Sequence, residues 1–417
     1  MTLWNEPKSI PISKAMIWQA YKRVRANKGS AGIDLVSIEQ FDTDLSGNLY
    51  KLWNRMASGS YFPPPVKEVE IPKKDGKVRK LGIPTVSDRI GQMVIKRFLE
   101  PRLEKNFSQN SFGYRPKKSA HQALEQVRKN CWKTDWVIDL DIKGFFDNID
   151  HHKLMLAVER HVPEKWVKLY IARWLACPVM TKSGKLFVKQ GKGTPQGGVI
   201  SPLLANLFLH YGFDRWLEQT DRTVSYTRYA DDVIVNCKSQ KHAEQTLKAI
   251  QNRMYQIGLE LHPEKTKIVY CKDYRRKGNY HNVKFDFLGY SFQPRTSRSK
   301  KRSGLFLGFD CSISISSRKR IAAKLGELKV HRMTSNSIVG IAKILNPMIR
   351  GWVNYYAKFR KSMLHGVFKL LNDRLVKWAR KRYKRYKTSI KRAYKWFFRI
   401  QEQFPNLFYH WKMGYTK

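Results

Sequence analysis

Residues 226–237 read Tyr-Thr-Arg-Tyr-Ala-Asp-Asp-Val-Ile-Val-Asn-Cys. Two short apolar runs enclose adjacent carboxylates, a pattern that predicts two β-strands joined by a tight turn at Ala230-Asp231-Asp232. Neighbouring carboxylates repel each other, and a cation between them removes that cost. The pair is therefore a candidate metal site. Aspartate is also a common turn residue, so this motif alone is weak evidence.

A further carboxylate ends another apolar run, Trp136–Asp141, which we predict to be a buried strand. Displacement at phosphorus is one reaction that such a site supports, because two Mg²⁺ ions stabilise the attacking and leaving oxygens. Carboxylates at the ends of adjacent strands supply the hard oxygen ligands that such ions need. We therefore predict that Asp141, Asp231 and Asp232 bind two Mg²⁺ ions. Asp139 lies on the same strand face as Asp141 and competes for this role.

The charge of the chain points to a polyanionic partner. The 417 residues include 80 Lys plus Arg against 33 Asp plus Glu, which gives a formal net charge of +47. Such an excess predicts nucleic-acid binding. An anionic membrane surface is the rival partner, but no long apolar stretch, signal segment or lipidation motif supports it. Five widely spaced cysteines form no zinc pattern and indicate a reduced, cytoplasmic protein.

Local patterns divide the chain into modules. Helical spacing predicts a helix over Ser13–Val24 with Ser13 as its N-cap, and alternation predicts a strand over Val66–Pro72. Residues 295–304 are basic and predict a linker or mobile hairpin. Residues 301–417 carry 28 Lys plus Arg against 4 Asp plus Glu and show three helical stretches, the second opened by Pro347. They predict a helical bundle with a basic outer face, whose aromatic stripe forms the core rather than a platform for bases.

Seven motifs follow one another in the order of the reverse-transcriptase sequence blocks. They are Val69–Leu81, Ser111–Pro116, Asp141–Ile149, Gly193–Asn206, Tyr229–Asp232, Leu261–Lys267 and Phe287–Tyr290. The amino-acid sequences of these motifs resemble those of the reverse transcriptase/maturase proteins of bacterial group II introns. Gly29–Asp34 resembles the added N-terminal block of that family, and Leu345–Tyr356 resembles its maturase, or thumb, domain. The resemblance covers nearly the whole chain.

This resemblance implies an α+β right-hand polymerase with fingers, palm and thumb. The implied segments are an N-terminal extension (1–60), fingers (61–135), palm with part of the fingers (136–292), a basic linker (293–310) and a thumb/maturase domain (311–417). The activity implied is RNA-directed DNA synthesis, together with binding and splicing of a host intron RNA and intron mobility by target-primed reverse transcription.

The resemblance also implies roles for residues that handle the nucleotide. Lys73 and Arg79 would grip the incoming triphosphate, and Phe146 would lie under the sugar, where a bulky ring excludes a ribose 2′-OH. Gln196 would hold template and nucleotide, and Lys265 would donate a proton to the leaving pyrophosphate. The alternatives are solvated hairpin charges for Lys73 and Arg79, a turn residue for Gln196 and a surface lysine for Lys265.

Other side chains are predicted to act outside the chemical step. We expect Asp147 to fix its loop through backbone hydrogen bonds. Arg115, Arg350, Lys381 and Arg382 are predicted to contact nucleic acid.

The predicted partners are an RNA template, a DNA primer, deoxynucleoside triphosphates and a host group II intron RNA, with no membrane. The protein would act in the bacterial cytoplasm as a monomer or homodimer. Its sequence ends soon after the maturase-like helices, as in class C intron proteins that lack an endonuclease domain. Two alternatives stay open: an RNA-binding splicing factor whose polymerase site is a relic, and a polymerase recruited to another host role such as phage defence.

Overall fold

The strand–turn–strand unit predicted around Asp231 is present in the structure, a computed structural model that describes residues 10–72, 78–188, 190–298 and 304–416. The described α-helices, in chain order, are α1 Lys14–Ala26, α2 Ile38–Thr43, α3 Leu45–Ala57, α4 Val86–Glu104, α5 Ala120–Lys133, α6 Phe145–Asn148, α7 His151–Glu159, α8 Lys165–Leu175, α9 Ser201–Leu209, α10 Arg215–Thr220, α11 Gln240–Gln256, α12 Ile315–Glu327, α13 Ile338–Tyr356, α14 His365–Arg382, α15 Ile390–Gln403 and α16 Tyr409–Lys412. A π-helix, His210–Asp214, joins α9 to α10. Short 3₁₀ helices cover Val330–Arg332, Lys361–Leu364 and Lys384–Tyr386.

The strands fall into separate small sheets. They are β1 Val66–Pro72, β2 Val78–Ile83, β3 Trp136–Asp141, β4 Val179–Met180, β5 Leu186–Phe187, β6 Ser225–Tyr229, β7 Asp232–Cys237, β8 Lys267–Tyr270, β9 Phe285–Phe287, β10 Tyr290–Arg298 and β11 Leu305–Ile313. The chain forms two compact units. One comprises the residues up to Ser119 and Ile138–Lys267, and the other comprises Ala120–Val137 and the residues from Ile268 onward.

The first unit contains two sheets and the helices around them. One sheet has the strand order β2-β1-β4-β5, in which β1 pairs antiparallel with β2 and parallel with β4. In the other sheet, β6, β7 and β3 are neighbours in that order. The predicted bounds of β1 and β3 are confirmed, because short apolar or alternating runs bounded by turn residues define both strands locally.

Buried side chains cover both faces of the second sheet. Ile138 and Leu140 of β3 and Val233, Ile234 and Val235 of β7 are all buried. Burying each such side chain contributes roughly 1.5–3 kcal/mol, which fixes these strands firmly. Asp141 and Asp232 are the terminal residues of β3 and β7, so a rigid core holds both backbones that carry the predicted carboxylates.

The N-terminal helix prediction is confirmed as well. The Ser13 hydroxyl accepts a hydrogen bond from the amide of Met16 and caps α1, which packs against α4.

In the second unit, the basic stretch predicted to be a linker or a mobile hairpin forms part of a long antiparallel hairpin. β10 pairs with β11 from Tyr290↔Ile313 to Arg298↔Leu305, and β9 pairs with β10 on its other edge. The basic residues 299–303 lie outside the described residues. Of the two alternatives predicted for this stretch, the hairpin is confirmed, and the linker assigned to 293–310 is wrong for the described strand residues. The buried positions Phe292, Phe309 and Cys311 anchor the hairpin despite its basic composition. The other predicted segment borders stay predictions.

The predicted start of a helix at Pro347 is also wrong, since α13 runs unbroken from Ile338 to Tyr356. A proline within a helix costs about 3 kcal/mol. The two halves share one buried stripe, with Ile341 and Leu345 before the proline and Ile349 after it, and this burial offsets the cost. In the described residues, no helix combines the length and the apolar character needed to cross a bilayer.

Candidate active site

The turn between β6 and β7 presents the adjacent aspartates. Tyr229 pairs with Asp232, so Ala230 and Asp231 form a two-residue turn. Ala230 has a φ of +57°, a left-handed conformation that glycine usually occupies at this point of a hairpin. Holding a non-glycine residue there costs of order 1–3 kcal/mol, and such strain persists only where the surroundings enforce it.

The segment that follows α11 and Gly258 lies beside the end of β3. The amide of His262 donates to the Asp141 carbonyl at 2.7 Å, and the amide of Lys143 donates to the Glu260 carbonyl at 2.8 Å. These bonds bring Lys265 to Asp141, where its Nζ lies 3.0 Å from a carboxylate oxygen. Lys265 is thus at the carboxylate site, as its predicted catalytic role requires.

The charges of the three aspartates act on one another. Desolvation of the Asp232 carboxyl group, followed by the charges of Asp231 and then Asp141, raises its pKa to about 7, whereas Lys265 lowers it. Asp232 is nevertheless an exposed residue, so an ion from solvent can reach it. Within the described residues, three metal-ligating side chains are nowhere gathered tightly enough to hold one ion. Surplus negative charge at a solvent-accessible turn nevertheless fits the donor chemistry of a divalent cation.

Phe146 and Gln196 lie on two segments that are joined by backbone hydrogen bonds. Phe146, in α6, is 8% exposed, and its carbonyl accepts from the amide of Thr194 at 2.7 Å. The Gln196 amide nitrogen donates to the Asp147 carboxylate at 3.2 Å. Asp147 therefore orients Gln196 through its side chain, a contact that the sequence did not predict.

The loop that carries Gln196 also lies against the end of β2. The Gly82 amide donates to the Gln196 carbonyl at 2.7 Å. A Cβ on Gly197, whose φ is +121°, would lie 2.5 Å from the Gly82 carbonyl oxygen, so only glycine allows this approach. A cavity of about 570 Å³ opens beside the loop. Its lining includes Glu68, Lys80, Asp147, Phe187, Lys192 and Gln196.

A buried network supports the same loop from α4. The Gln92 side-chain oxygen accepts from the amides of Val199 and Ile200 at 2.7 and 3.3 Å, and its nitrogen donates to Asp88 at 2.9 Å. Asp88 also accepts from Trp174 at 2.6 Å and from the Tyr61 hydroxyl at 3.1 Å. Burial raises the pKa of Asp88 to about 6, against the opposing effect of these hydrogen bonds.

Comparison with known proteins agrees with this geometry. Residues 71–292 match the family model "Reverse transcriptase (RNA-dependent DNA polymerase)". The chain belongs to the reverse transcriptase family. Residues 318–397 match "Group II intron, maturase-specific domain", so this reverse transcriptase also carries a maturase domain. It is an RNA-directed DNA polymerase with the right-hand fold of that family, which confirms the predicted fold class and activity.

Individual relatives match most of the chain. Group II intron-encoded protein LtrA of Lactococcus lactis is 28% identical over 81% of this chain and 68% of its own length. Protein YkfC of Escherichia coli is 31% identical over 67% of this chain and 81% of its own. Among solved structures, telomerase from Candida albicans is 12% identical over 90% of this chain and 69% of its own, with a TM-score of 0.47. The resemblance to group II intron proteins is confirmed, whereas assignment to class C stays a prediction.

The structure corrects one predicted nucleic-acid contact of this reverse transcriptase. The Arg115 side chain is 2% exposed and pairs with Glu104 at 2.7 Å. It also donates to the carbonyls of Ser108 and Ser111. Because these contacts bury the guanidinium, Arg115 is structural and is unsuited to bind a phosphate. Lys73 and the side chain of Arg79 lie outside the described part of the structure. The backbone of Arg79, in β2, pairs with that of Ile71, in β1.

The remaining predicted contacts lie on the surface of the maturase part of the reverse transcriptase. Arg350 on α13 is exposed, with its guanidinium 5.3 Å from the ring of Tyr409. Lys381 and Arg382 are exposed in the last turn of α14, and Arg382 also donates to the Thr334 carbonyl. All three can meet a polyanion without loss of a buried partner.

The sequence did not identify the buried polar residues that support the aspartate turn of the reverse transcriptase. Asn206 and Arg228 lie in or beside motifs that were recognised, yet neither received a role. Both are buried together with Asp214. A charged residue such as Arg228 inside a predicted buried strand is a usable signal, because buried arginines are almost always paired.

Proposed function

We propose that this reverse transcriptase holds two Mg²⁺ ions with Asp141, Asp231 and Asp232 and copies an RNA template from a DNA primer. The observation that supports this most directly is the β6–β7 turn, whose aspartates lie near enough to Asp141 for the charges to raise the pKa of Asp232 to about 7. Like charges kept together in this way favour a divalent cation. When bound, the ions would stabilise charge on the attacking and leaving oxygens of the displacement.

The surrounding residues fit the handling of a deoxynucleotide. The Phe146 carbonyl is bonded to the amide of Thr194, in the segment that leads to Gln196, so the Phe146 ring would lie close to the nucleotide and restrict the space at its sugar. Gln196, oriented by Asp147, would contact the nascent base pair. Lys265 lies 3.0 Å from Asp141, a position from which it would pair with the triphosphate and protonate the leaving pyrophosphate once a metal ion neutralises the carboxylate. Lys73 and Arg79 would complete the triphosphate site.

The test compares Asp141→Asn with Asp139→Asn in primer extension with Mg²⁺ and deoxynucleotides. Both changes remove one carboxylate charge from the same strand face and preserve size. If Asp141 is the ligand, its variant loses about a thousandfold in rate, which corresponds to several kcal/mol of lost charge stabilisation. The Asp139 variant should then stay within about threefold of the wild type. The reverse result would assign the metal to Asp139.

The maturase domain favours a second role for the same chain, in which it binds its host intron RNA and assists splicing and mobility. A positive surface lowers the repulsion between closely packed phosphates and so favours compact RNA. The matching assay measures splicing of a group II intron by the wild type and by the Asp141→Asn variant. Equal splicing with loss of extension supports two separable activities. Extension without any effect on splicing would favour a polymerase with another host role.

A further inference from the structure

A fully buried ion pair lies directly beneath the aspartate turn. Arg228, in β6, and Asp214, at the end of the π-helix, are both inaccessible to solvent. The Arg228 Nε and Nη2 atoms donate to the two carboxylate oxygens of Asp214 at 2.8 and 2.5 Å. This bidentate geometry fixes the plane of the guanidinium, which a lysine in its place could not do.

The third nitrogen of Arg228 reaches the turn itself. Nη1 donates to the carbonyl oxygen of Ala230 at 3.0 Å and to the side-chain oxygen of Asn206 at 2.9 Å. Ala230 is the left-handed residue that immediately precedes Asp231. The guanidinium therefore fixes the Ala230 carbonyl, which belongs to the peptide bond between the strained residue and Asp231.

Asn206 connects this arginine to the neighbouring segment. Its side-chain nitrogen donates to the carbonyl of Gly113 at 2.7 Å. Gly113 in turn lies against the turn, since a Cβ there would be 2.5 Å from the Ala230 nitrogen. The segment is also bonded to β6, because the amide of Phe112 donates to the Arg228 carbonyl at 2.8 Å. The guanidinium of Arg228 thus contacts the motifs that contain Asn206 and Ala230, and Asn206 links it to the motif that contains Gly113.

We propose that Arg228, fixed by Asp214 and Asn206, is a positioning residue that sets the geometry of Asp231 for metal binding. The inference rests on the proposed role of Asp231 as a metal ligand. A buried ion pair is weak evidence for stability, because apolar residues of similar volume often serve equally well. What an apolar pair would not supply is a donor to the Ala230 carbonyl.

The electrostatics agree with this geometry. Burial lowers the pKa of Arg228, but the charge of Asp214, with smaller effects from Tyr226 and Asp231, raises it above its ordinary value. The guanidinium therefore stays charged and attracts the Asp231 carboxylate. This attraction adds to the backbone contact through Ala230.

The test uses Arg228→Lys in the full chain, with Arg276→Lys as the matched control. Arg276 is also a buried arginine that donates to backbone carbonyls, those of Cys131 and Cys271, and pairs with Asp135, but it belongs to the other unit. For each protein, the maximal rate of single-nucleotide addition, the KM for the nucleotide, the Mg²⁺ concentration at half-maximal rate and the melting temperature are measured.

We expect Arg228→Lys to lower the maximal rate by about 10²-fold and to raise the half-saturating Mg²⁺ concentration, while KM for the nucleotide changes little. Arg276→Lys should lower the melting temperature without either kinetic change. Asn206→Asp keeps an acceptor for Arg228 and removes the donor to Gly113, so it should shift rate and Mg²⁺ dependence in the same direction. This variant keeps the test decisive if Arg228→Lys fails to fold.

Two outcomes would overturn the inference, and only the second of them also overturns the proposed function. If Asp231→Ala is inactive but the Arg228 and Asn206 variants keep the wild-type rate and Mg²⁺ dependence, the ion pair is merely structural. If Asp231→Ala itself extends primers normally, the metal assignment is wrong, and the inference fails with it.

Discussion

Gly113→Ala should impair catalysis although Gly113 is not a predicted ligand of metal, nucleotide or primer. An added Cβ would lie 2.5 Å from the Ala230 nitrogen, whereas ordinary contacts begin at 3.4 Å. The obstacle is backbone rather than a flexible side chain, so the turn must move by about 0.9 Å. A displacement of about 1 Å in a catalytic group can cost about 100-fold in rate. We therefore expect a loss of this size in the rate of nucleotide addition.

The assay is single-turnover addition of one deoxynucleotide at saturating Mg²⁺ and nucleotide. Gly366→Ala in α14 is the matched control, because no atom lies within 4 Å of its added Cβ. That variant should keep the wild-type rate and gain up to about 1 kcal/mol of helix stability. A Gly113→Ala protein that adds nucleotides within threefold of the wild-type rate would refute the argument that this close contact positions Asp231.

Three further outcomes are expected. Phe146→Val should raise incorporation of ribonucleotides relative to deoxynucleotides by at least about tenfold in a competition assay, because a smaller side chain leaves room for the 2′-OH; an unchanged ratio would remove Phe146 from the sugar site. The double change Arg350→Ala and Lys381→Ala should weaken RNA binding and lower the slope of log affinity against log salt by about 2, as measured by fluorescence anisotropy; an unaltered slope would mean that neither cation meets a phosphate. The pKa of Asp88 is raised to about 6, so between pH 4 and 6 its carboxyl group keeps its proton in the folded protein but loses it in the unfolded chain. Raising the pH across this window therefore removes about 3 kcal/mol from the free energy of unfolding. As the pH rises from 4 to 6, the melting temperature of the wild type should therefore fall relative to that of Asp88→Asn. Parallel curves for the two proteins would contradict the raised pKa of Asp88.

Elements defined by short-range patterns could be predicted from the sequence. The strand that ends at Asp141 and the hairpin around Asp231 each consist of a buried apolar run beside a turn, and both signals lie within about ten residues. The order of the motifs then identified the family. For the same reason the candidate metal-binding carboxylates could be named from the amino-acid sequence alone.

Features that depend on how side chains pack in the folded protein could not be predicted in this way. Arg115 looked like a nucleic-acid contact in a basic chain, but Glu104 and two carbonyls bury it. Pro347 looked like a helix start, but burial of Ile341 and Ile349 on one stripe keeps α13 continuous. In both cases tertiary packing outweighs the local preference of the residue.

The supporting network of the site has the same origin. Arg228 reads as an isolated charge in a strand, and only the fold brings Asp214 and Asn206 to it. Gln92, whose side chain also bonds to Asp88, likewise contacts the Gln196 loop from a helix more than 100 residues earlier in the chain. Spacing along the sequence carries no signal for such contacts.

The central claim is that the aspartates of the β6–β7 turn hold the metal ions for DNA synthesis. It is tested most directly by primer extension on an RNA template with Mg²⁺ and deoxynucleotides, comparing the wild type with Asp231→Ala plus Asp232→Ala. We predict extension by the wild type alone, with equal RNA binding by both proteins. Extension by the double variant at the wild-type rate would contradict the claim, as would RNA binding by both proteins with extension by neither.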